Sequence, residues 1–303
     1  MSDRTEAGRD TGKRENEYGK GLLIDAVAYL IAFGLGIIPF LLINDVFAAA
    51  AAFTAAATVV IYVFTVVYAD VSIYDPYWSV APPVIIAAVI IKYRFYNVNA
   101  LVLFGLILIW ATRLTANWLS TYKGLGHEDW RYKMYRDKYP PFPFQLISFF
   151  GLQFVPTAVV YLGLTGALFA VQKSCFSPLS AIGAAVMILA VLLELVADRA
   201  IHGFLKEHRG EGKTCRVSVW RYSRHPNYLG EMSFWSSIYI YFAALCPEIW
   251  YKGLGFLTII VLFLFVSIPM MEKHNVSRRP DYAEYKAETS MLLLLPPKKK
   301  KAD

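Results

Sequence analysis

The feature that most constrains this chain is a series of long apolar runs separated by short polar segments. A helix needs roughly 20 residues to cross about 30 Å of hydrocarbon, and most of the runs are near that length. Only 17% of the 303 residues are charged and 57% are hydrophobic, against about 25% charged in a soluble domain. We therefore predict an all-α, polytopic membrane helix bundle of about eight spans. The predicted spans are 21–43, 45–69, 78–91, 98–116, 146–172, 178–197, 232–247 and 253–271.

The third run is the one that differs from the others. It is short and contains Pro82 and Pro83, and proline disrupts the interior of a helix. It is consistent with a kinked span or with a re-entrant segment. The predicted number of spans therefore ranges from six to eight.

The distribution of Lys and Arg predicts the orientation of the bundle. With eight spans, 25 Lys and Arg residues fall on the side that carries both termini, and four fall on the opposite side. Basic residues concentrate in short cytosolic loops, so both termini are predicted to be cytosolic. The net charge of +7 then reports topology and contact with membrane lipids, and no nucleic-acid partner is predicted.

The polar segments suggest a division of the chain. Residues 1–20 are polar without periodicity, which predicts a disordered cytosolic arm. Two N-terminal spans (21–69) come next, followed by a membrane domain (70–297) with long cytosolic loops at 117–144 and 198–231. The first apolar run exceeds the length of a signal-peptide core, so we predict that it is retained as a span.

The ends of the chain and its cysteines give further expectations. The basic tail, 298–303, ends in Lys300-Lys301-Ala302-Asp303, which fits a K-K-x-x signal for retrieval to the endoplasmic reticulum. In a bacterium the same lysines would anchor the tail at the plasma membrane. The cysteines Cys175, Cys215 and Cys246 lack metal-ligand spacing, so neither a metal site nor a disulfide framework is predicted.

The densest group of chemically active residues lies just before the seventh run. Arginine forks match phosphate oxygens, and the free N–H groups at a helix start favour negative charge. The group therefore predicts an anion site at the cytosolic end of the bundle. The alternative is a juxtamembrane basic cluster that contacts lipid headgroups. Its members are Trp220, Arg221, Tyr222, Arg224, His225, Pro226, Asn227, Tyr228 and Glu231.

Residues 221–231, RYSRHPNYLGE, resemble the C-terminal signature of steroid 5α-reductase-like membrane proteins, which include the sterol Δ14- and Δ7-reductases and the DUF1295 family. Further elements resemble the DUF1295 family in the right order. They are D-P-Y-W at 75–78, W-x-x-R-L at 110–114, E-D-W-R-Y at 128–132, the segment 197–206, and RRPDYAEYKAETS at 278–290.

This resemblance implies an NADPH-dependent oxidoreductase of lipid metabolism. It would deliver hydride to an activated carbon–carbon double bond in a lipid or steroid-like hydrophobic small molecule, with the cofactor entering from the cytosol. The protein would supply orientation and charge, and the cofactor would supply the hydride. The residues that the resemblance assigns to the dinucleotide are Asp198, Lys206, Trp220, Arg221, Arg224, His225, Asn227, Tyr228, Glu231, Arg278, Tyr282 and Tyr285.

Reduction of an enone also requires a group that stabilises the enolate oxygen. Arg113 is the leading candidate, because a cation within a span usually faces the bundle interior; the alternative is that it snorkels to the interface. Glu194 and Asp198 lie four residues apart and suit either binding or a salt bridge to Arg199 or Lys206. The other catalytic candidates are Tyr74, Asp75, Tyr77 and Asn117.

The sequence departs from the steroid 5α-reductases in one respect. Those enzymes carry a catalytic glutamate in an early span, and no acidic residue lies between Asp45 and Asp70. Activation of the substrate carbonyl is therefore not transferred residue by residue.

Two other classes of function remain open. One is an S-adenosylmethionine-dependent methyltransferase of the isoprenylcysteine carboxyl methyltransferase type, which shares R-H-P-x-Y-x-G but carries paired glutamates later in the chain. Here the corresponding stretch, Met271-Glu272-Lys273-His274, has a single acid. The other is a non-catalytic lipid-binding protein on the same fold, because a fold does not determine an activity.

Overall fold

The computed structural model describes residues 2–298, with side chains from residue 17 onward. Across this range the chain is helical, and the described residues form no β-sheet beyond one isolated bridge between Ser223 and Ser290. The helices are α1 (Ser2–Leu42), α2 (Val46–Val67), α3 (Tyr77–Tyr93), α4 (Val98–Thr121), α5 (Trp130–Lys138), α6 (Pro141–Leu146), α7 (Val155–Ala170), α8 (Ser180–Glu207), α9 (Pro226–Leu245), α10 (Phe256–Leu262), α11 (Ile268–Arg278) and α12 (Tyr282–Glu288).

Seven helical stretches among the described residues are long and apolar enough to cross a membrane. Each overlaps one of the predicted spans, so the prediction of a polytopic helical membrane protein is confirmed. Some of the seven join α-helices through short 3₁₀ or π segments. The stretches are Glu17–Leu42, Val46–Val67, Val71–Tyr93, Val98–Thr121, Pro141–Ala170, Ser180–Glu207 and Pro247–Arg278. The cytosolic placement of the termini stays a prediction.

The third predicted span is a continuous helical stretch despite its two prolines. Pro82 and Pro83 lie inside α3 and both are buried. With the preceding 3₁₀ turn the stretch covers 23 residues. At about 1.5 Å per residue this is enough to cross a bilayer, so the length of the stretch fits a full span better than a re-entrant segment.

The seventh predicted span, 232–247, corresponds to α9 and is not among the seven stretches. It is a 20-residue helix, and about half of its residues are buried. Asn227, Glu231 and three serines interrupt its apolar sequence. A helix enclosed by protein does not need an apolar surface all round, because its polar side chains find partners on neighbouring helices.

Close packing of α8 against α9 depends on two glycines. A Cβ atom at Gly183 would approach the backbone nitrogen of Tyr241 to 2.7 Å, and one at Gly230 would approach Cγ of Glu194 to 2.3 Å. Both separations are shorter than real carbon contacts. Glycine at these positions therefore lets the two helices approach closely, as small residues commonly do between membrane helices.

The structure describes the predicted N-terminal arm from residue 2 onward but not the predicted retrieval signal at the other end of the chain. α1 begins at Ser2, so residues 2–20 are helical where we predicted a disordered arm. No proline precedes Pro39, so every residue of this segment keeps the backbone N–H that a helix needs. The predicted retrieval signal at residues 300–303 lies outside the described residues.

The chain divides into two compact units that do not follow the predicted boundary at residue 70. One unit comprises Met1–Phe95 and Leu114–Tyr161, and the other comprises Tyr96–Arg113 and Leu162–Asp303. The segment 70–297 therefore contributes to both.

Candidate active-site clusters

In the first unit, the E-D-W-R-Y element binds the turn that leads into D-P-Y-W. Glu128 Oε1 accepts a hydrogen bond from the backbone N–H of Val71 at 3.0 Å. The backbone N–H of Asp129 donates to Ser72 Oγ at 2.9 Å. The Tyr132 hydroxyl donates to Asp75 Oδ1 at 2.5 Å. Two elements that the sequence presented as separate motifs are therefore one hydrogen-bonded structure.

The hydroxyl of Tyr132 is suited to remain a donor in this structure. Burial, and after it the charge of Asp75, raises the pKa of Tyr132 well above its ordinary value. Arg131 forms an ion pair with Asp129, with Nε and Oδ1 separated by 2.8 Å. Asp75, a predicted catalytic residue, is thus held by a neutral phenol in a region where Arg131 supplies positive charge.

The two predicted catalytic tyrosines have different hydrogen-bond partners from Asp75. Their rings stack, with centroids 5.2 Å apart. The Tyr74 hydroxyl is 2.8 Å from Thr157 Oγ1, which is 2.9 Å from Thr58 Oγ1. The Tyr77 hydroxyl donates to the carbonyl of Thr54 at 3.4 Å. Thr58 Oγ1 also donates to the Thr54 carbonyl, at 2.9 Å, so the two tyrosines belong to one hydrogen-bond network, whereas Asp75 is bound by Tyr132.

Sequence reasoning missed an acidic residue in the first unit. Asp25 lies within the first apolar run and is 4% exposed. Its neighbour Tyr122 follows the end of α4; burial, and after it Asp25, raises the pKa of the Tyr122 hydroxyl. The acid of an early span was expected in the second apolar run, which contains none between Asp45 and Asp70. A single acid inside the first run was the signal that would have identified Asp25.

In the second unit, Arg113 is directed into the protein and forms a buried ionic cluster. Its Nη1 lies 2.8 Å from Glu194 Oε2 and 3.2 Å from Asp198 Oδ2. The side chains of Arg113, Glu194 and Asp198 are 11%, 1% and 12% exposed. Arg113 is therefore the cation that pairs with Glu194 and Asp198, where the sequence had suggested Arg199 or Lys206. It does not snorkel to the surface.

Glu231, which the resemblance assigned to the dinucleotide, is held by two tryptophans. The indole N–H of Trp110 donates to Oε2 and that of Trp235 donates to Oε1, each at 3.0 Å. The Trp110 ring stacks on Phe234 with centroids 4.7 Å apart. The W-x-x-R-L element therefore supplies two of these contacts. Its tryptophan, Trp110, binds Glu231, and its arginine, Arg113, belongs to the ionic cluster.

Arg224 of the R-H-P sequence is bound entirely by groups of the protein. Nε and Nη2 each lie 2.7 Å from Glu272 Oε1. Nη1 donates to the carbonyls of Lys286 at 2.9 Å and Thr289 at 2.5 Å. Its backbone N–H donates to the Ser290 carbonyl at 2.9 Å. Arg224 therefore fastens the C-terminal segment to the start of α9.

The rest of the R-H-P environment is also ordered by internal contacts. Lys286 Nζ lies 2.7 Å from Glu272 Oε2, and His225 Nε2 lies 3.5 Å from Glu272 Oε1. The buried ring of His225 stacks on Tyr228, with centroids 5.4 Å apart. Glu272, the single acid in the later element, is thus the common partner of three basic side chains.

The loop 208–217 and the 3₁₀ turn Ser218–Arg221 are tied to their neighbours. Trp220 Nε1 donates to the Ala197 carbonyl of α8 at 2.8 Å, and the Tyr285 hydroxyl donates to the Trp220 carbonyl. Thr214 donates twice to Asp281, at 3.0 and 2.6 Å. Burial alone would raise the pKa of Asp281, but the Thr214 hydrogen bonds and the charge of Arg216 outweigh it and lower that pKa.

Three predicted cofactor cations are exposed around this scaffold: Lys206, Arg221 and Arg278. Asn227 and Tyr228 are half-buried on the first turn of α9, and Tyr282 is buried. A pocket of about 440 Å³ opens beside Glu272; it is lined by Leu264, Ile268, Pro269, Glu272, Lys273, Val276, Lys286 and Met291. Among the described residues, no group of His, Cys, Asp and Glu has an arrangement suited to a metal ion.

The fold and these clusters define a multi-pass membrane protein with ionic groups buried inside its spans. The chain belongs to the family described as "Protein of unknown function (DUF1295)", whose family model matches residues 61–289. The matched range contains every predicted site residue and leaves out Asp25. No curated protein matches the chain, and no solved structure does.

Proposed function

We propose that this protein is an NADPH-dependent membrane reductase that acts on an activated carbon–carbon double bond in a lipid or steroid-like substrate. One observation carries the proposal: the helix pair α8 and α9 joins exposed cations at one end to a buried ionic cluster within a membrane span. A charged residue inside a span marks a functional site by default. The order of sequence elements shared with steroid 5α-reductase-like proteins supports the choice of reaction.

The residues around the start of α9 fit the phosphates of NADPH. The residues that we assign to the phosphates differ, however, from the set that the resemblance implied. The charge of Arg224 is already balanced by Glu272. Exposed Arg221, Lys206 and Arg278 remain accessible. The Trp220 hydrogen bond ties the turn that carries Arg221 to α8, which carries Lys206, and Arg278 is the last residue of α11. Guanidinium and ammonium groups bind phosphate by charge-assisted hydrogen bonds. We assign these three cations to the phosphates.

The nucleoside and nicotinamide groups have candidate partners on the first turn of α9. Asn227 offers an amide that both donates and accepts hydrogen bonds. The Tyr228 ring, stacked on His225, offers an aromatic face beside it. The bound dihydronicotinamide would supply the hydride, while the residues of this chain bind and orient it.

The hydrophobic substrate would reach the site from the bilayer. Its polar end would be directed toward the cluster of Arg113, Glu194 and Asp198, whose 2.8 and 3.2 Å contacts place charged groups in a largely buried region. Electrostatic groups fixed in such a region stabilise developing charge more than they would in water. We place the reaction in the endoplasmic reticulum membrane if the source is eukaryotic and in the plasma membrane if it is bacterial.

Titration of the purified protein in detergent with NADPH tests this proposal. We expect saturable binding, weakened about 10- to 100-fold by Arg221→Ala, because a hydrogen bond to a charged group contributes about 1.5–3 kcal/mol. Lys252→Ala is the matched control: it removes an exposed cation from the turn Pro247–Gly253, beyond the opposite end of α9. This change should leave the affinity unchanged.

A parallel titration with S-adenosylmethionine separates the alternatives. Tight binding of S-adenosylmethionine without NADPH binding would replace the reductase with the methyltransferase. Binding of neither compound would favour a non-catalytic lipid-binding protein. Equal loss of NADPH affinity in Arg221→Ala and Lys252→Ala would contradict the assignment of Arg221.

A further inference from the structure

The pocket beside Glu272 is a groove along one face of a helical stretch that can span the membrane. Part of its lining recurs at intervals of four along the chain: Leu264, Ile268, Glu272 and Val276. Side chains at this interval share one face of a helix. Lys286 and Met291, which follow that helix in the chain, also line the groove. Its volume of about 440 Å³ lies in the range of about 300–1,000 Å³ that is usual for ligand sites.

The groove changes from apolar to charged along the helix. Its apolar lining falls within the predicted span 253–271: Leu264, Ile268 and Pro269. Glu272 and Lys273 are the first residues after that span, and both line the groove. The whole stretch, Pro247–Arg278, is about 48 Å long at about 1.5 Å per residue, whereas the hydrocarbon is about 30 Å thick. Its last turns can therefore reach the level of the lipid headgroups.

The apolar part of the groove is open toward the side of the helix that faces lipid. Phe265, which follows Leu264, is 74% exposed, and Pro269 one turn later is also exposed. Met291 and Val276, within the groove, are 39% and 50% exposed. Apolar side chains exposed on a membrane span contact acyl chains. A lipid can therefore enter the groove sideways from the bilayer.

The charged part of the groove carries more bases than acids. Lys286 Nζ lies 2.7 Å from Glu272 Oε2, and Arg224 Nη2 lies 2.7 Å from Glu272 Oε1. Lys273, the other lysine of the lining, is exposed. One carboxylate therefore faces three basic side chains, which leaves a positive surplus at this end of the groove.

The acids of the neighbouring helix α12 do not cancel this surplus. Glu284 Oε2 and Glu288 Oε2 are paired with Arg216, at 3.1 and 3.2 Å. Neither glutamate lines the groove. An anionic group at the rim would therefore meet the ammonium groups of Lys273 and Lys286, and ammonium groups bind phosphate by charge-assisted hydrogen bonds.

We propose that this groove binds one anionic phospholipid of the bilayer. An acyl chain would lie along Leu264 and Ile268, and the phosphate would contact Lys273 and Lys286. A basic pocket at the end of a membrane span is a known mode of recognition for anionic headgroups. A zwitterionic phospholipid gains less from the two lysines, because its own cation cancels the phosphate charge. Binding of this lipid does not depend on the reaction proposed above.

Native mass spectrometry of the full-length protein, delipidated in detergent, tests this site. The protein would be titrated with phosphatidylglycerol or with phosphatidylcholine of the same acyl chains. We expect one phosphatidylglycerol to bind about 5- to 25-fold more tightly, since each lysine near an anionic lipid contributes about a factor of five. Lys273→Gln should weaken its binding about 5-fold. Lys252→Gln, which removes an exposed lysine from the turn at the other end of the same stretch, should leave it unchanged.

A second variant tests the groove without changing its charge. Val276→Trp adds an indole to a lining residue that is half exposed, so the ring would occupy the groove. It should weaken phosphatidylglycerol binding at least about 10-fold. Val266→Trp is the matched control, because Val266 is 47% exposed on the same helical stretch and does not line the groove. This change should leave the binding intact.

Four results would overturn the phospholipid site. They are equal binding of the two phospholipids by wild type, unchanged binding in both Lys273→Gln and Val276→Trp, tighter binding of a free fatty acid than of phosphatidylglycerol, and displacement of phosphatidylglycerol by NADPH. The last would assign the groove to the cofactor. If phosphatidylglycerol binds as expected and NADPH does not bind, the reductase falls and the phospholipid site stands.

Discussion

Replacing Arg113 with alanine is expected to lower the free energy of unfolding by about 3–5 kcal/mol. The reason is that removal of one partner of a buried ion pair leaves the opposite charge uncompensated. Here the single change would leave Glu194, 1% exposed at its side chain, and Asp198, 12% exposed, without their cation. Unfolding followed by heat or denaturant in a fixed detergent measures the loss.

Neutralising the acids should restore the stability of the Arg113 variant. In the triple variant Arg113→Ala, Glu194→Gln, Asp198→Asn, most of the lost free energy should return, because no unpaired charge remains buried. Exposed Arg209→Ala removes an arginine outside the cluster and should change stability by less than about 0.5 kcal/mol. An Arg113→Ala protein as stable as wild type would show that the cluster is hydrated and not a buried ionic site.

Replacing Arg224 with alanine is expected to destabilise the protein by about 3 kcal/mol and to loosen its C-terminal segment. Arg224 compensates Glu272, which would keep only Lys286 and His225, and loss of a buried ionic partner is costly. It also donates to the carbonyls of Lys286 and Thr289. Limited proteolysis should therefore cut within residues 286–298 faster in the variant than in wild type.

Arg221→Ala is the matched control for Arg224→Ala, since the two arginines lie three residues apart and only Arg224 is buried. Arg221→Ala should leave both the stability and the proteolysis rate unchanged while weakening NADPH binding. Arg224→Lys should not restore the wild-type stability, because an ammonium group lacks the planar fork that reaches Glu272 and two carbonyls. An Arg224→Ala protein that keeps its stability and loses NADPH affinity would instead make Arg224 a phosphate ligand.

The membrane spans were predictable because hydropathy and loop charge are local properties of the sequence. Seven of the eight runs match stretches that can cross a bilayer, including the third, which its prolines made uncertain. α9 was the exception, since its burial against α8 depends on Gly183 and Gly230. Packing of that kind is a relation between two helices, and hydropathy along one of them does not encode it.

The motifs were identified from the sequence, but the binding partners of their residues were not. Tyr132 and Asp75 are 57 residues apart, and Arg224 and Glu272 are 48 apart. Neither separation follows a helical or strand period, so spacing along the chain gave no sign of either pair. The family resemblance assigned Arg224 and Glu231 to the cofactor, whereas the structure shows both bound to other side chains of the protein.

The most direct test of the reductase proposal is transfer of labelled hydride. Purified protein would be incubated with an extract of its native membrane lipids and NADPH deuterated at the hydride-donating carbon of the nicotinamide ring. Mass spectrometry of the lipids should then reveal a product that has gained one deuterium and one hydrogen, and Arg221→Ala at limiting cofactor should form about 10- to 100-fold less of it. Saturable NADPH binding with no deuterium in any lipid would contradict the proposal.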